Sequence, residues 1–339
     1  MKQNVSSIAF DKEYSQGAYS AINTCLRLQP SEKIVIVTDN FTSEIAASLV
    51  AEIEKVGSPC SVFVLEDYTV RPMKHMPQEV LDELETAQVS VFCAQAQTGE
   101  LGARIEMSSI VNRRKIRHGH MVNINRQIML EGMRADFNVI DELSTRLITK
   151  ARAARTIVVK NAAGTNITAT FSPKLNWLKT SGIISPDKWG NLPGGEIFTA
   201  PENIEGTFVT DGVVGDYLCT KYGILKDTPL YIDIVNNRIK SLRCSNNELL
   251  EEFNTYTHTD ENSDRVGEFA IGTNIAVKDV IGHILQDEKI PSCHIAFGHP
   301  YAEHTGQTWV STTHIDCVCI EADIWLDGEQ VMEKGKFIF

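Results

Sequence analysis

With 339 residues, 42% hydrophobic and 22% charged, the chain is long enough for two domains of ordinary size, each with its own core. Its formal charge of -12 and pI near 5.3 give a surface that repels phosphate backbones and anionic headgroups, so neither nucleic acid nor membrane is an expected partner. The start MKQNVSSIAFDKEY lacks a basic segment followed by an apolar one, and no apolar run approaches the roughly 20 residues of a membrane span; a cytoplasmic protein is expected.

The first half alternates short apolar runs with helical ones. Lys33 to Val37 reads as a strand, and the 3.6-residue periodicity from Ser43 to Val56, stopped by Gly57, reads as the helix after it. The unit recurs with Ser61 to Leu65 as strand, Pro77 to Ala87 as helix, Val89 to Cys93 as strand, a further helix, and Met121 to Ile124 as strand. The basic run Arg113, Arg114, Lys115 and Arg117 is read as a solvated helix C-terminus whose cations complement the helix dipole. Strands that are apolar on both faces and separated by helices imply a doubly wound parallel α/β domain, assigned to residues 1–155. No G-x-G-x-x-G follows any of them, so a dinucleotide fingerprint is absent.

From about Arg155 the periodicity falls to two, as in Thr168 to Phe171 and Tyr231 to Val235, which predicts a β-rich α+β domain over residues 156–339. Ser245 and Glu248 read as a capping box opening a helix with Leu249, Leu250 and Phe253. Asp327-Gly328, between Ile324-Trp325-Leu326 and Val331-Met332, is a hairpin signal. The eight cysteines form no C-x-x-C pair and lie mostly in apolar runs, which suits reduced, buried thiols.

Chemistry concentrates in this second domain, where His283, His294, His299, His304 and His314 crowd a short stretch. In His314-Ile315-Asp316, an imidazole and a carboxylate two residues apart on a strand point to one face and can converge on one cation. His294 lies in an apolar run ending at Gly298, where a core histidine is the ordinary alternative. Glu268 and Glu196 sit among glycines and apolar residues, where an unpartnered charge would be costly to bury. Three carboxylates and two imidazoles suit Zn, Mn, Co or Fe(II), and with one bridging carboxylate they suffice for two divalent metal ions.

The segments Gly194-Gly195-Glu196-Ile197-Phe198-Thr199-Ala200-Pro201, Gly267 to Asn274, Asp287-Glu288-Lys289, His294 to Gly298 and His314-Ile315-Asp316 resemble, in that order, the motifs of the M29 aminopeptidases, the aminopeptidase T and S group. The resemblance is good from about Pro193 to Phe339 and loose before it. It implies metal ligands at Glu196, Glu268, His294, His314 and Asp316, a general base or metal-contacting acid at Glu288, and an oxyanion donor at Tyr301. It also implies a homodimer acting on short peptides by metal-activated water. The chain is shorter than better known members, and it carries Ile315 where an aromatic residue is usual. It has His299 to Gln307 where those members have a Gly-rich segment. These departures leave room for a relative of the dihydroxypyridine dioxygenases, with a single Fe(II) on His294, His314 and Asp316. A non-catalytic metal-binding protein is the third reading.

Overall fold

The computed structural model describes residues 3–187 and 190–339. The chain divides into two compact units, Met1–Val139 with Gly182–Gly194, and Ile140–Ser181 with Gly195–Phe339.

The first unit is built on a parallel sheet in the order Cys60–Val64, Ile34–Thr38, Val89–Cys93, Arg117–His120, Gly190–Asn191. Ile34–Thr38 and Val89–Cys93 are buried at every position, which is why both read as unbroken apolar runs, whereas the edge strand Cys60–Val64 is half-buried over its first three residues. The helix Ser43–Val56 ends where predicted: Gly57 takes φ +81 and its N–H donates to the Ile53 and Glu54 carbonyls. The helix expected from Pro77 forms over Gln78–Leu84.

Met121 to Ile124, expected as a strand, is not one; the strand is Arg117–His120. Its polar sequence hid it. His118 and His120 are nevertheless buried, with Ser90 Oγ 2.8 Å from His118 Nδ1, His118 Nε2 3.3 Å from His120 Nδ1, and the His120 ring stacked on Phe92. The basic run is correspondingly divided. Arg113 and Arg114 close the helix Leu101–Arg114, and Arg113 pairs with Glu85. Arg117 starts the strand instead and pairs with Glu32 at 2.5 Å, only 15% exposed.

Strand order reverses between Ile34–Thr38 and Val89–Cys93, and the crevice beyond their C-terminal ends is where parallel sheets usually bind ligands. Here Arg71 occupies it, 2.7 Å from Asp39 and 2.5 Å from Glu100, while Asp39 also accepts from the Gln95 N–H. All three charged side chains are essentially inaccessible, so the place is taken by the protein's own ion pairs.

The second unit contains two antiparallel sheets. The larger runs in the order Arg238–Arg243, Leu230–Val235, Asn203–Thr210, Asn166–Thr170, Thr156–Lys160, Asp323–Leu326, Glu329–Glu333, Lys336–Phe337. The hairpin at Asp327-Gly328 forms, both residues having positive φ. The smaller sheet runs His314–Val318, Cys293–Gly298, Val266–Gly272, Glu196–Thr199, Leu178–Lys179. One apolar cluster joins Ile157, Phe208 and Ile232 of the larger sheet to Phe269, Ile271, Ile295, Phe297 and Ile315 of the smaller. The helix Asn247–Tyr256 is capped by Asn246, which accepts from the Glu248 and Leu249 N–H groups, so the expected Ser245 box does not form. An Asn at the cap supplies the same acceptor one residue later.

Candidate metal centre

The smaller sheet spends its two faces differently. Phe269, Ile271, Ile295, Phe297, Ile315 and Cys317 point into the apolar cluster. The alternate positions form the other face, on which the register sets Asp316 opposite Ala296, Ala296 opposite Glu268, His294 opposite Ala270, His314 opposite Gly298, and Glu196 opposite Gly272. Alanine and glycine between the polar residues leave room for long side chains to lean together. Gly267 is needed beside Glu268 because a Cβ there would lie 2.1 Å from the Gly298 carbonyl oxygen. The register shift between Val266 and Glu268 then re-aims the carboxylate. Gly195, at φ +131 and against the Asn274 backbone, does the same for Glu196.

The structure brings all five expected ligands together in two overlapping groups: Glu196, Glu268 and His294, and Glu268, His314 and Asp316, each with its donor atoms within 4.8 Å of one another. Glu268 belongs to both. Its Oε1 lies 3.6 Å from His294 Nε2, and its Oε2 lies 3.6 Å from His314 Nε2. His294 Nε2 is 3.7 Å from Glu196 Oε2, and His314 Nε2 is 3.4 Å from Asp316 Oδ1. These separations exceed the roughly 2.7–3.2 Å of an N–H···O hydrogen bond. They match the spacing of about 3.4 Å between two ligands that each stand about 2.1 Å from a tetrahedral cation. His314 Nδ1 is 3.0 Å from the His299 carbonyl oxygen, which fixes that nitrogen as the donor and turns Nε2 inward, where a cation could displace its proton. Donor chemistry and spacing therefore fit divalent metal.

The charges reinforce one another. Burial works against a proton on either histidine, but Glu268, Glu196 and Asp316 lift His294 to about 9, and Asp316 with Glu268 lifts His314 to about 10. Burial also works against charge on Asp316, yet the two histidines and Lys289 hold it down to about 2. Burial pushes Glu288 up to about 8, Asp316 and Glu196 adding to the effect and Lys289 opposing it. Burial, with the surrounding carboxylates, also pushes the Tyr301 hydroxyl well above its usual range, so it remains a donor. Tyr301 sits at φ +48 with its ring 4.9 Å from that of His314 and 5.9 Å from that of Phe198.

Glu288 directly follows the short helix Ile284–Asp287, whose approach is fixed by Asp287 accepting from the Ile281, Gly282 and His283 N–H groups. Two participants escaped the sequence reading. Lys289, 2% exposed, places its ammonium 2.7 Å from Glu196 Oε1 and 2.6 Å from Glu288 Oε1. Thr180 donates to the same Glu196 oxygen at 2.8 Å. Lys289 stood inside the Asp287-Glu288-Lys289 motif, so its signal was present and unused; Thr180 gave none.

A family model described as thermophilic metalloprotease (M29) matches residues 138–337, more than half of the chain. The chain belongs to the M29 metalloprotease family. The family uses divalent metal, and the matched region contains both donor groups. No curated protein matches the chain. Among solved structures, the fold is similar to wild-type AmpT from Thermus thermophilus, with a TM-score of 0.70, 16% identity, and 98% of this chain and 100% of that one covered. It is also similar to 2,5-dihydroxypyridine dioxygenase from Pseudomonas putida KT2440, with a TM-score of 0.69, 15% identity and 96% of each chain covered. At such identities the likeness speaks for the fold, confirming a parallel α/β part joined to an antiparallel β-rich part. Among the described residues, no helix is long and apolar enough to cross a membrane.

Proposed function

We propose that this M29 protein is an aminopeptidase of the aminopeptidase T and S group, removing N-terminal residues from short peptides with two divalent ions, Zn, Co or Mn. The observation that carries the reading is Glu268, whose two oxygens face different histidines, so that one carboxylate serves both donor groups. Bound there, the cations would supply Lewis acidity, polarising the scissile carbonyl and lowering the pKa of the attacking water.

The chain's own side chains do the rest. Glu288, buried beside the cluster and paired with the Lys289 ammonium at 2.6 Å, is placed to take a proton from water and return it to the leaving amine. The Tyr301 hydroxyl donates to the oxyanion that develops on the carbonyl. Asp316 keeps negative charge at its end of the cluster, where the free α-amine of a substrate would be drawn.

The similarity to a 2,5-dihydroxypyridine dioxygenase motivates the second reading, a mononuclear Fe(II) centre on His294, His314 and Asp316. Both donor groups include Glu268, which weighs against it. The test is anaerobic. Protein reconstituted with Co, Mn or Zn should cleave a leucine anilide without oxygen and spare its N-acetylated form. Oxygen uptake with a dihydroxylated ring, strict dependence on Fe(II) and no anilide cleavage would replace the aminopeptidase with the oxygenase.

A further inference from the structure

A buried ammonium beside a cluster of cation ligands competes with the cations for the same carboxylates. Lys289 makes direct ion pairs on one side only. Its ion pairs are with Glu196 and Glu288, and Glu196 Oε1 receives hydrogen bonds from both Lys289 and Thr180. Only Oε2 of Glu196 is left for the group that includes Glu268 and His294. That group thus offers one carboxylate largely neutralised by a fixed positive charge, plus a share of Glu268. The other offers the shared Glu268 and Asp316, whose neighbour at 3.4 Å is the His314 ligand itself. In a poorly solvated site, an uncompensated carboxylate charge is worth far more to a divalent ion than one already paired.

We propose that Lys289 makes the two cation positions unequal. The position at Glu268, His314 and Asp316 fills first; the one at Glu196, Glu268 and His294 binds at least about tenfold more weakly, because Lys289 holds its carboxylate. Lys289 is thus a positioning residue that sets the metal concentration at which the centre becomes dinuclear. Between the two dissociation constants the chain carries a single ion. This rests on the reading of the cluster as a dinuclear centre.

The experiment is calorimetric titration of the metal-free full chain with Zn(II) and, separately, Mn(II). Wild type should show two steps at least about tenfold apart. His294→Ala should remove the weaker step and His314→Ala the tighter. Lys289→Met should tighten the weaker step by about tenfold or more, while Lys289→Arg, which keeps the charge, should preserve the gap. Lys289→Gln carries the test if the Met variant does not fold, since it retains a donor without the charge. Two equal steps in wild type, or an unchanged gap in both neutral variants, would overturn the proposal and leave the metal centre standing. Absence of any uptake would overturn the metal centre and this proposal together.

Discussion

Tyr301 and Glu268 take part in the same site in ways that mutation separates. Tyr301 has no place in either donor group and sits against His314 through its ring. Tyr301→Phe is therefore expected to retain full metal uptake and to lower kcat by on the order of 10²-fold, the cost of one oxyanion donor, with KM little changed. Glu268 instead stands in both groups, so Glu268→Gln should lower occupancy toward one ion, read by elemental analysis after gel filtration. Full metal and full activity in that variant would remove Glu268 from the site. At this scale the sequence was most informative where a charge was set among glycine and apolar neighbours, as at Glu196 and Glu268. It was least informative at Lys289, because a lysine after two acids reads as solvated, and only the fold brings it to Glu196, 93 positions earlier in the chain.

Strands show why some elements could be read and others not. The His314-Ile315-Asp316 pair and the apolar run ending at Gly298 made His314–Val318 and Cys293–Gly298 legible, as an unbroken apolar run did for Val89–Cys93. Arg117–His120 was missed because its inward residues are histidines, which satisfy each other and Ser90 rather than packing as hydrocarbons. That arrangement has a pH signature. Burial holds His118 down at about 3 and His120 well below its usual range, whereas in the unfolded chain both titrate near 6.5. At these two positions the folded state therefore binds fewer protons, and the stability they contribute is intact above about pH 6.5 and lost as pH falls through that value toward 3. The slope is about 1.4 kcal/mol per pH unit for each histidine. Urea midpoints between pH 7 and pH 5 should fall less steeply in His118→Gln than in wild type; equal slopes would show that His118 is protonated in the folded chain.

Across the molecule, the metal-ligand candidates all belong to the second unit, while the first has a complete core of its own around Val35, Phe92 and Met107. Chelation is accordingly expected to abolish activity and leave the far-ultraviolet circular dichroism nearly unchanged; collapse of the spectrum would make the metal structural. The first unit depends instead on its ion-pair cluster. Arg71→Met would strand Asp39 and Glu100 as buried, unpaired acids, at a cost of about 3–5 kcal/mol, visible as a lowered unfolding midpoint. Doubly wound and β-rich parts were both legible from periodicity, but the return of residues 182–194 to the first unit was not, since Gly190–Asn191 joins the parallel sheet with only two residues. The central claim is that five side chains on one sheet face hold divalent ions through a shared Glu268. Anomalous diffraction from crystals grown with Zn tests it most directly. Two peaks are predicted, one among Glu196, Glu268 and His294 and one among Glu268, His314 and Asp316, with both Glu268 oxygens engaged. A single peak on His294, His314 and Asp316 that leaves Glu268 uncoordinated, or no peak at this face, would contradict it.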